Sequence, residues 1–442
     1  MRSFAALFFR MESAIRFQRR VRSNLRAPWM LGVKPKFEGG HVVELLRGGD
    51  ALFPAMGAAI AQARHTVWLA TYIFHDDAVA QTLALVLADA ARRGVQVRVV
   101  VDGFGSKATL AQLRSWMAEA GVELAVFRPI DRWWSWFAPG QARRLHQKLC
   151  VVDGEIAFVG GINLIADRND LHHGWSDAPR LDFAAQVRGK AVGEIEQAVQ
   201  AIWTRAMLGR VWRDEVASLA RSAAPIARAR RLAQRLRIVR PRRLASPKPQ
   251  LPVSLAFVVR DNWRQRRSIE RVYMEAIRRA RERIDLVTPY FYPGGSFRMA
   301  LIHAAERGVR VRLLLQGKID YRIAGMAARV LYDELLAKGV QIFEYTPAYL
   351  HAKAAVVDDE WATLGSSNID PLSLLLNLEA NVVVCDAPFA RRLSEELAVA
   401  MVASSAVLAP PYAKGWFAVV RRTFVAMVAH WFLRMAGING RY

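Results

Sequence analysis

Two segments of the sequence carry the same pattern of residues suited to nucleophilic and acid–base chemistry. The first, HQKLCVVDGEIAFVGGIN, runs from His146 to Asn163, and the second, HAKAAVVDDEWATLGSSN, runs from His351 to Asn368. A single His-x-Lys arises often by chance, whereas two long copies in register indicate one site that is built twice. All paired positions are 205 residues apart: His146/His351, Lys148/Lys353, Asp153/Asp358, Gly160/Gly365 and Asn163/Asn368.

This pattern predicts a phosphate-handling site. Alternate residues of a strand point to the same face, so each motif projects its His and its Lys together. One neutral imidazole can attack phosphorus while the other protonates the leaving alcohol. Positive charge and amide donors can stabilise the pentacoordinate transition state without a metal or other cofactor. The predicted catalytic residues are His146, Lys148, Asp153, His351, Lys353 and Asp358, and the predicted phosphate-binding residues are Asn163, Ser366 and Asn368.

A nucleophilic imidazole also needs an acceptor on its other ring nitrogen. The candidates are Asp182 and Glu379, which lie on strand-like segments downstream of the His in each copy. The alternative is that both are ordinary strand-edge carboxylates. Asp153 and Asp358 are expected near a turn, where they either take part in the chemistry or hold the loop together.

The elements around the motifs are also duplicated. AIAQARHTVWLATYIF (Ala59–Phe74) matches AIRRARERIDLVTPYF (Ala276–Phe291), and further helix–Gly–strand pairs follow in each half, with Gly94 and Gly308 expected as helix C-caps. Helices that alternate with apolar strands predict an α/β fold. We therefore expect two duplicated domains, each with a mixed, largely parallel sheet flanked by helices, related by a pseudo-twofold axis.

The composition restricts the kind of protein and partner. The chain has 442 residues, 53% of them hydrophobic, which excludes a disordered or fibrous chain. The only cysteines, Cys150 and Cys385, indicate buried thiols in a reducing compartment rather than a disulfide scaffold. A formal net charge of +24 predicts a polyanionic partner, and 13 Trp and 20 Phe favour lipid over nucleic acid.

Changes in composition predict five regions. These are a basic amphipathic segment (1–36), a first domain (37–220), a basic linker (221–250), a second domain (251–409) and an amphipathic tail at the membrane interface (410–442). The alternatives are an unstructured leader, a merely solvated linker and a tail that packs on the protein's own core. Arg421 and Arg422 interrupt the apolar run of the tail, which favours a helix lying on the membrane over one that spans it.

Two further segments invite a functional interpretation. DRWWSWFAPG, from Asp131 to Gly140, groups Trp133, Trp134, Trp136 and Phe137 just before the first motif. We expect a lipid-facing loop there, with an aromatic core plug as the alternative. His172 and His173 have no second set of ligands at zinc spacing, and solvated loop residues are the better interpretation.

The two motifs together are the signature of the phospholipase D superfamily, and the second half resembles the bacterial cardiolipin synthases of the shorter type. The similarity runs from about Gly39 to about Ala403 and is specific in the two motifs. The resemblance implies a phosphohistidine intermediate, independence from metals, and His146 as nucleophile with His351 as acid and base. One departure from symmetry is Gly161, where the second copy has Ser366.

The expected function is transfer of a phosphatidyl group from a glycerophospholipid, above all phosphatidylglycerol, to an alcohol on a second phospholipid. The alternatives are a phosphodiesterase that hydrolyses phospholipid or nucleic acid, and a non-enzymatic membrane adaptor. The expected partners are an anionic phospholipid membrane and the phospholipid donor and acceptor. Since no cleaved signal peptide is evident, we expect a peripheral protein on the cytoplasmic face of a bacterial inner membrane.

Overall fold

A computed structural model describes residues 35–130, 143–171, 174–219, 253–260, 265, 267–318, 329, 331–370, 373 and 377–408. Several predicted features lie outside these residues, and for them the sequence predictions stand alone. They are the N-terminal segment up to residue 34, the aromatic loop with Trp133, Trp134, Trp136 and Phe137, the pair His172 and His173, the basic linker and the C-terminal tail.

The first half of the described chain combines nine strands with four α-helices. The strands are β1 (Glu38–Arg47), β2 (Thr66–Thr71), β3 (Gln96–Asp102), β4 (Glu123–Phe127), β5 (Lys148–Val152), β6 (Ile156–Gly160), β7 (Asn169–Asp170), β8 (Gly174–Trp175) and β9 (Phe183–Arg188). The helices are α1 (Gly48–Ala61), α2 (Ala78–Arg92), α3 (Leu110–Ala118) and α4 (Ala191–Leu219), with a short 3-10 turn at Lys107–Thr109.

The second half repeats this plan. Its described strands are β10 (Val253–Arg260), β11 (Arg283–Thr288), β12 (Arg310–Gln316), β13 (Gln341–Tyr345), β14 (Ala354–Val357), β15 (Trp361–Gly365), β16 (Glu379–Cys385) and β17 (Ser405–Ala406). Its helices are α5 (Ser268–Arg279), α6 (Gly295–Glu306), α7 (Tyr332–Ala337) and α8 (Ala387–Val402).

Each half has its own hydrophobic core, formed by the residues that the repeat aligns. Ile60 and Leu69 are buried in the first core, and their counterparts Ile277 and Leu286 are buried in the second. The helices α2 and α6 are each followed by a glycine with φ of +90°, Gly94 and Gly308. A left-handed residue ends a helix and turns the chain into the next strand, as the sequence predicts at both positions.

One continuous sheet joins the halves, and its strand order is symmetric. The order is β17-β13-β12-β11-β14-β15-β16-β10-β1-β9-β6-β5-β2-β3-β4. Outward from the central β10–β1 pair, the strands of the two halves occupy equivalent places, except that β17 at one edge has no counterpart in the described part of the first half. Strands β1 and β10 pair antiparallel, as two equivalent strands must across a twofold axis. This symmetry is what brings the two motifs to one place.

The mixed α/β class is confirmed, but the parallel part of the sheet is smaller than the sequence predicts. Parallel pairing among the described strands is confined to β2–β3–β4 and β11–β12–β13. The motif strands pair as hairpins, β5 with β6 and β14 with β15, across connections of three residues. So short a connection permits only antiparallel pairing, because a parallel crossover needs a dozen residues or more.

Two further observations concern exposure and the membrane. Cys150 is buried in β5 as expected, whereas Cys385 is exposed because it is the last residue of β16. Among the described helices, none combines the length and the hydropathy that crossing a bilayer requires.

Candidate active site

The backbone at each motif histidine is held by the opposite half of the molecule. The His146 N–H donates to Leu378 O at 3.0 Å, and the His351 N–H donates to Leu181 O at 2.9 Å. Leu378 lies directly before β16 and Leu181 lies two residues before β9, and both strands are near the centre of the sheet. The two histidine segments therefore cross the junction between the halves and meet there.

The histidine side chains are held across the same junction. His146 Nδ1 lies 3.0 Å from Glu379 Oε2, and His351 Nδ1 lies 2.6 Å from Asp182 Oδ2. Both candidate carboxylates thus contact an imidazole, but across the two copies of the motif. Glu379 of the second copy contacts His146 of the first, and Asp182 of the first copy contacts His351 of the second. The pairing is crossed because the axis places the start of β16 beside the first motif and the start of β9 beside the second.

These contacts fix the tautomer of each neutral imidazole. His146 Nδ1 faces two acceptors, Glu379 Oε2 and the Ser366 carbonyl oxygen at 3.1 Å, so Nδ1 carries the proton. The same argument applies to His351 beside Asp182. In each ring the lone pair is then on Nε2, the nitrogen turned away from the carboxylate.

Ser366 contacts the carboxylate of Glu379. Ser366 is fully buried, and its hydroxyl donates to Glu379 Oε2. The hydroxyl oxygen, Ser366 Oγ, also accepts from the Ala380 N–H at 3.0 Å. These contacts hold the carboxylate that lies beside His146, and the role of Ser366 in binding phosphate stays a prediction.

The departure at Gly161 has a steric reason. A Cβ atom at this position would lie 2.4 Å from Asp182 Oδ1, so the carboxylate occupies the space of the missing side chain. The second copy has a longer acid, Glu379, and leaves room for Ser366. The residue type at position 161 or 366 thus matches the length of the nearby acid: glycine accompanies Asp182, and serine accompanies Glu379.

The motif lysines are buried next to their histidines. The Lys148 ammonium donates to His146 O at 2.7 Å, and the Lys353 ammonium donates to His351 O. Burial lowers the pKa of Lys148 to about 8 and that of Lys353 to about 7, against the opposing charges of Asp182 and Glu379. Each ammonium has further N–H groups beyond the one on its own motif carbonyl.

Asn163 and Asn368 are buried close to the ends of β6 and β15, as the repeat predicts, and are 7% and 6% exposed. Within the part of the chain that the structure describes, the Oδ1 atoms of both side chains have no hydrogen-bond partner. Each unpaired oxygen can accept from a ligand hydroxyl, and the NH₂ end of the same amide can donate to a phosphate oxygen.

Asp153 and Asp358 lie at the opposite end of the motif strands. Asp153 accepts backbone N–H groups of Arg64, His65 and Thr66 at 2.8 Å, and Asp358 makes the equivalent contacts before β11. Both have φ of +52° in the hairpin turn. Asp153 lies seven positions after His146, and the extended chain between them spans about 20 Å. These contacts favour the alternative in which both aspartates hold the loop together, and their assignment as catalytic residues stays a prediction.

Burial dominates the electrostatics of the site. It lowers the pKa of His146, which the charge of Glu379 opposes, and it lowers the pKa of His351 well below the usual range. The charges of Lys353 and then Lys148 lower the pKa of His351 further, so charges from both motifs act on this imidazole. Burial also raises the pKa of Asp182 to about 7. The free site therefore favours neutral imidazoles.

Two contacts around His146 have no counterpart in the sequence pattern. The Tyr72 ring packs against the His146 imidazole in an edge arrangement, with centroids 5.2 Å apart. Gln147 is buried and its Nε2 donates to the Glu379 backbone carbonyl at 2.9 Å. The repeat could not reveal either residue, because the aligned positions in the second copy are Pro289 and Ala352.

Known proteins are similar to this chain over both regions that contain the motifs. A family model described as "Cardiolipin synthase, PLD-like domain" matches residues 56–173 and 273–400, which include both motif histidines. Cardiolipin synthase B of Escherichia coli (strain K12) is 35% identical over 366 residues, covering 83% of this chain and 81% of that protein. Cardiolipin synthase A of Pseudomonas fluorescens (strain SBW25) is 32% identical over 377 residues, covering 85% of this chain and 71% of that protein.

The fold is shared more widely than the sequence. The crystal structure of phosphatidylserine synthase from Haemophilus influenzae Rd KW20 aligns with a TM-score of 0.60, covering 95% of this chain and 99% of that one. At 13% identity this likeness shows the fold alone. The two matched regions and the identity to the Escherichia coli protein show that the chain belongs to the cardiolipin synthase family of phospholipase D-like phosphatidyltransferases.

Proposed function

We propose that this protein makes cardiolipin by transferring a phosphatidyl group from phosphatidylglycerol to an alcohol on a second phospholipid, through a phosphohistidine. The observation that carries the proposal is the pair of crossed imidazole–carboxylate contacts, 3.0 Å at His146 and 2.6 Å at His351. Two such pairs beside two buried lysines supply a nucleophile, a proton carrier and positive charge at one point.

In the first step, His146 Nε2 attacks the phosphorus of the donor lipid. The P–Nε2 bond forms as the bond from phosphorus to the headgroup oxygen breaks, and that oxygen takes a proton from His351 Nε2. Glu379 holds the Nδ1 proton of His146 and stabilises the positive charge that the ring acquires. His146 is assigned as the nucleophile because the first-motif histidine has this role in the resembling family.

His351 and Asp182 handle the proton as one unit. The pKa of Asp182 is raised to about 7 and that of His351 is lowered, so the pair binds a single extra proton that either partner can hold. The negative charge of the incoming phosphodiester favours this protonated state. After His351 Nε2 gives its proton to the leaving alcohol, Nδ1 keeps a proton facing the Asp182 carboxylate.

In the second step, the hydroxyl of the acceptor lipid attacks the phosphohistidine. His351 Nε2 takes the hydroxyl proton, the new P–O bond forms, and the P–N bond breaks to leave His146 neutral. Lys148 and Lys353 balance the negative charge of the phosphoryl oxygens in both steps, and Asn163 and Asn368 contribute amide donors. Ser366 holds Glu379 in place.

The relatives named cardiolipin synthase support cardiolipin as the product, and phosphatidylglycerol as donor with a phospholipid alcohol as acceptor is our proposal. The net charge of +24 supports a peripheral position on an anionic bilayer, which we assign to the cytoplasmic face of a bacterial inner membrane. Hydrolysis would use the same first step with water in place of the acceptor. Product analysis therefore separates the two activities.

The test uses the full-length protein with phosphatidylglycerol vesicles and mass spectrometry of the lipid products. Cardiolipin and glycerol are expected from the unmodified protein and not from His146→Ala or His351→Ala. His303→Ala is the matched control, since His303 is an exposed residue of α6 and should retain full activity. Phosphatidic acid without cardiolipin would replace the transferase by a hydrolase, and cardiolipin from either motif variant would refute the mechanism.

A further inference from the structure

The residue before each motif histidine makes the same contact in both halves. The Leu145 N–H donates to Asp102 Oδ2 at 2.9 Å, and the Leu350 N–H donates to Gln316 Oε1 at 2.6 Å. Asp102 is the last residue of β3 and Gln316 is the last residue of β12, strands at equivalent places in the sheet. The twofold axis repeats the contact although the two side chains differ in charge.

This contact completes the attachment of the histidine segment. The Leu378 N–H donates to Arg144 O and the His146 N–H donates to Leu378 O, so both neighbours of Leu145 are tied to the opposite half. The Leu145 N–H points the other way, because alternate groups of an extended segment face opposite sides. Asp102 therefore connects the segment to the sheet of its own half.

We propose that Asp102 and Gln316 are positioning residues that hold the two histidine segments in register with the sheet, and that the His146 segment depends on a charged carboxylate whereas the His351 segment does not. The inference rests on the proposed function, since it assigns the two residues to the placement of the reacting imidazoles. Neither the Asp102 nor the Gln316 side chain is proposed to contact the substrate.

The number of donors explains why position 102 needs a carboxylate. Asp102 is fully buried, and its Oδ1 accepts from the Phe104 N–H at 2.8 Å and the Gly105 N–H at 3.2 Å while Oδ2 accepts from Leu145. An amide at position 102 would place its NH₂ group opposite one of these N–H donors, and that N–H would lose its acceptor. The described contacts of Gln316 Oε1 include only the Leu350 N–H, and an amide oxygen suffices for it.

The carboxylate also brings a dependence on pH. Burial raises the pKa of Asp102 to about 6, opposed by the charge of Arg144, whose Nη1 lies 3.8 Å from Oδ1. The other charged groups that act on Asp102 are Lys148 and Arg128. Protonation removes one acceptor, so the His146 segment should loosen as pH falls through about 6. Gln316 does not titrate, so the His351 segment should stay in place.

The experiment compares Asp102→Asn, Gln316→Glu and Gln316→Ala in the full-length protein on phosphatidylglycerol vesicles. We expect Asp102→Asn and Gln316→Ala to lower kcat about 10²-fold, the usual effect of a reacting group displaced by about 1 Å, with KM unchanged. Gln316→Glu should keep kcat, because Oε1 is still an acceptor. Hydrogen exchange of residues 143–148 should speed up in Asp102→Asn, and that of 348–353 in Gln316→Ala.

Asp285→Asn is the control for loss of a buried carboxylate, since Asp285 is fully buried and pairs with Arg283 and Arg312 instead of a histidine segment. It should lower stability but not kcat. Unchanged kcat and unchanged exchange in both Asp102→Asn and Gln316→Ala would overturn the inference; should Asp102→Asn not fold, Gln316→Ala alone decides it. Activity that persists in His146→Ala would instead refute the proposed function, whatever the exchange shows.

Discussion

His146 and Glu379 lie 233 positions apart in the sequence and 3.0 Å apart in the structure, and the contact joins the two halves of the duplicated chain. The reciprocal contact joins His351 to Asp182 at 2.6 Å. Neither half therefore contains a complete imidazole–carboxylate pair. Duplication alone would give two incomplete sites, and the twofold arrangement makes them one complete site.

The Glu379 contact predicts a large effect on catalysis. Glu379→Gln removes the charge that stabilises the His146 imidazolium, and we expect kcat to fall about 10²- to 10⁴-fold, as for other catalytic histidines that lose their acid. Ser366→Ala removes one hydrogen bond to Glu379, worth about 1.5–3 kcal/mol for a charged acceptor, so its effect on kcat should be smaller. Steady-state kinetics of both variants would check this order. Equal activity of Glu379→Gln and the unmodified protein would contradict the orienting role.

The space around Asp182 predicts a rescue between two substitutions. Gly161→Ser introduces a Cβ atom 2.4 Å from Asp182 Oδ1, so the carboxylate must move and His351 loses its acceptor. We expect kcat to fall about 10²-fold, the scale of a misplaced reacting group. Adding Asp182→Glu reproduces the combination found at Ser366 and Glu379 and should restore part of the loss. A double variant no better than Gly161→Ser would contradict the proposed equivalence, and the coupling between the two changes is the quantity to measure.

The sequence predicts the motif residues well and their neighbours poorly. His146, Lys148 and Asn163 could be found because each has a copy 205 residues later, so that the repeat itself identifies them. Asp182 and Glu379 could be named as candidate acids, but their crossed pairing depends on the twofold axis, which spacing along the chain does not contain. The turn aspartates were indistinguishable from catalytic ones, since their distance from the histidines depends on the strand between them.

Residues that differ between the halves were the hardest to predict. Tyr72 aligns with Pro289 and Asp102 aligns with Gln316, so neither is marked by the repeat although both lie near the first motif. The strand directions show a similar limit. Alternating helices and strands predict parallel pairs, and β2–β3–β4 has them, but the motif hairpins and the central β1–β10 pair add antiparallel neighbours.

Asp153 predicts a loss of stability without a loss of catalysis. Asp153→Ala removes the acceptor for three backbone N–H groups, and we expect the free energy of unfolding to fall by about 2 kcal/mol, the scale of hydrogen bonds to a charged group. Asp153→Asn should cost less, because Asn tolerates the φ of +52° and keeps one acceptor oxygen. Urea denaturation and kcat of the folded fraction check both points. A fall in kcat at unchanged stability would instead support Asp153 as a catalytic residue.

The buried lysines predict an alkaline limit to activity. Their pKa values, about 8 for Lys148 and about 7 for Lys353, mean that the free enzyme loses both charges as pH rises through this range. The phosphodiester binds the ammonium form, so kcat/KM should fall over this range. At saturating substrate, kcat should hold to higher pH, because a bound phosphate raises both pKa values.

Stability should change in the opposite direction over the same range. The pKa values of both lysines in the folded protein lie below the ordinary 10.5, so at pH values from about 7 up to 10.5 the unfolded chain binds more protons than the folded one. These two groups therefore raise the free energy of unfolding as pH rises. Parallel pH profiles of kcat/KM and Tm would separate lysine titration from unfolding. A kcat/KM that stays constant to about pH 10, the ordinary lysine range, would contradict the account.

In the proposed mechanism, His146 carries the phosphatidyl group between donor and acceptor. The most direct measurement is rapid quenching of the full-length protein with phosphatidylglycerol vesicles, followed by mass spectrometry of its peptides under conditions that preserve phosphohistidine. We expect a phosphatidyl adduct on the peptide that contains His146, absent from His146→Ala and consumed as cardiolipin forms. An adduct confined to His351, or cardiolipin formed by His146→Ala, would contradict it.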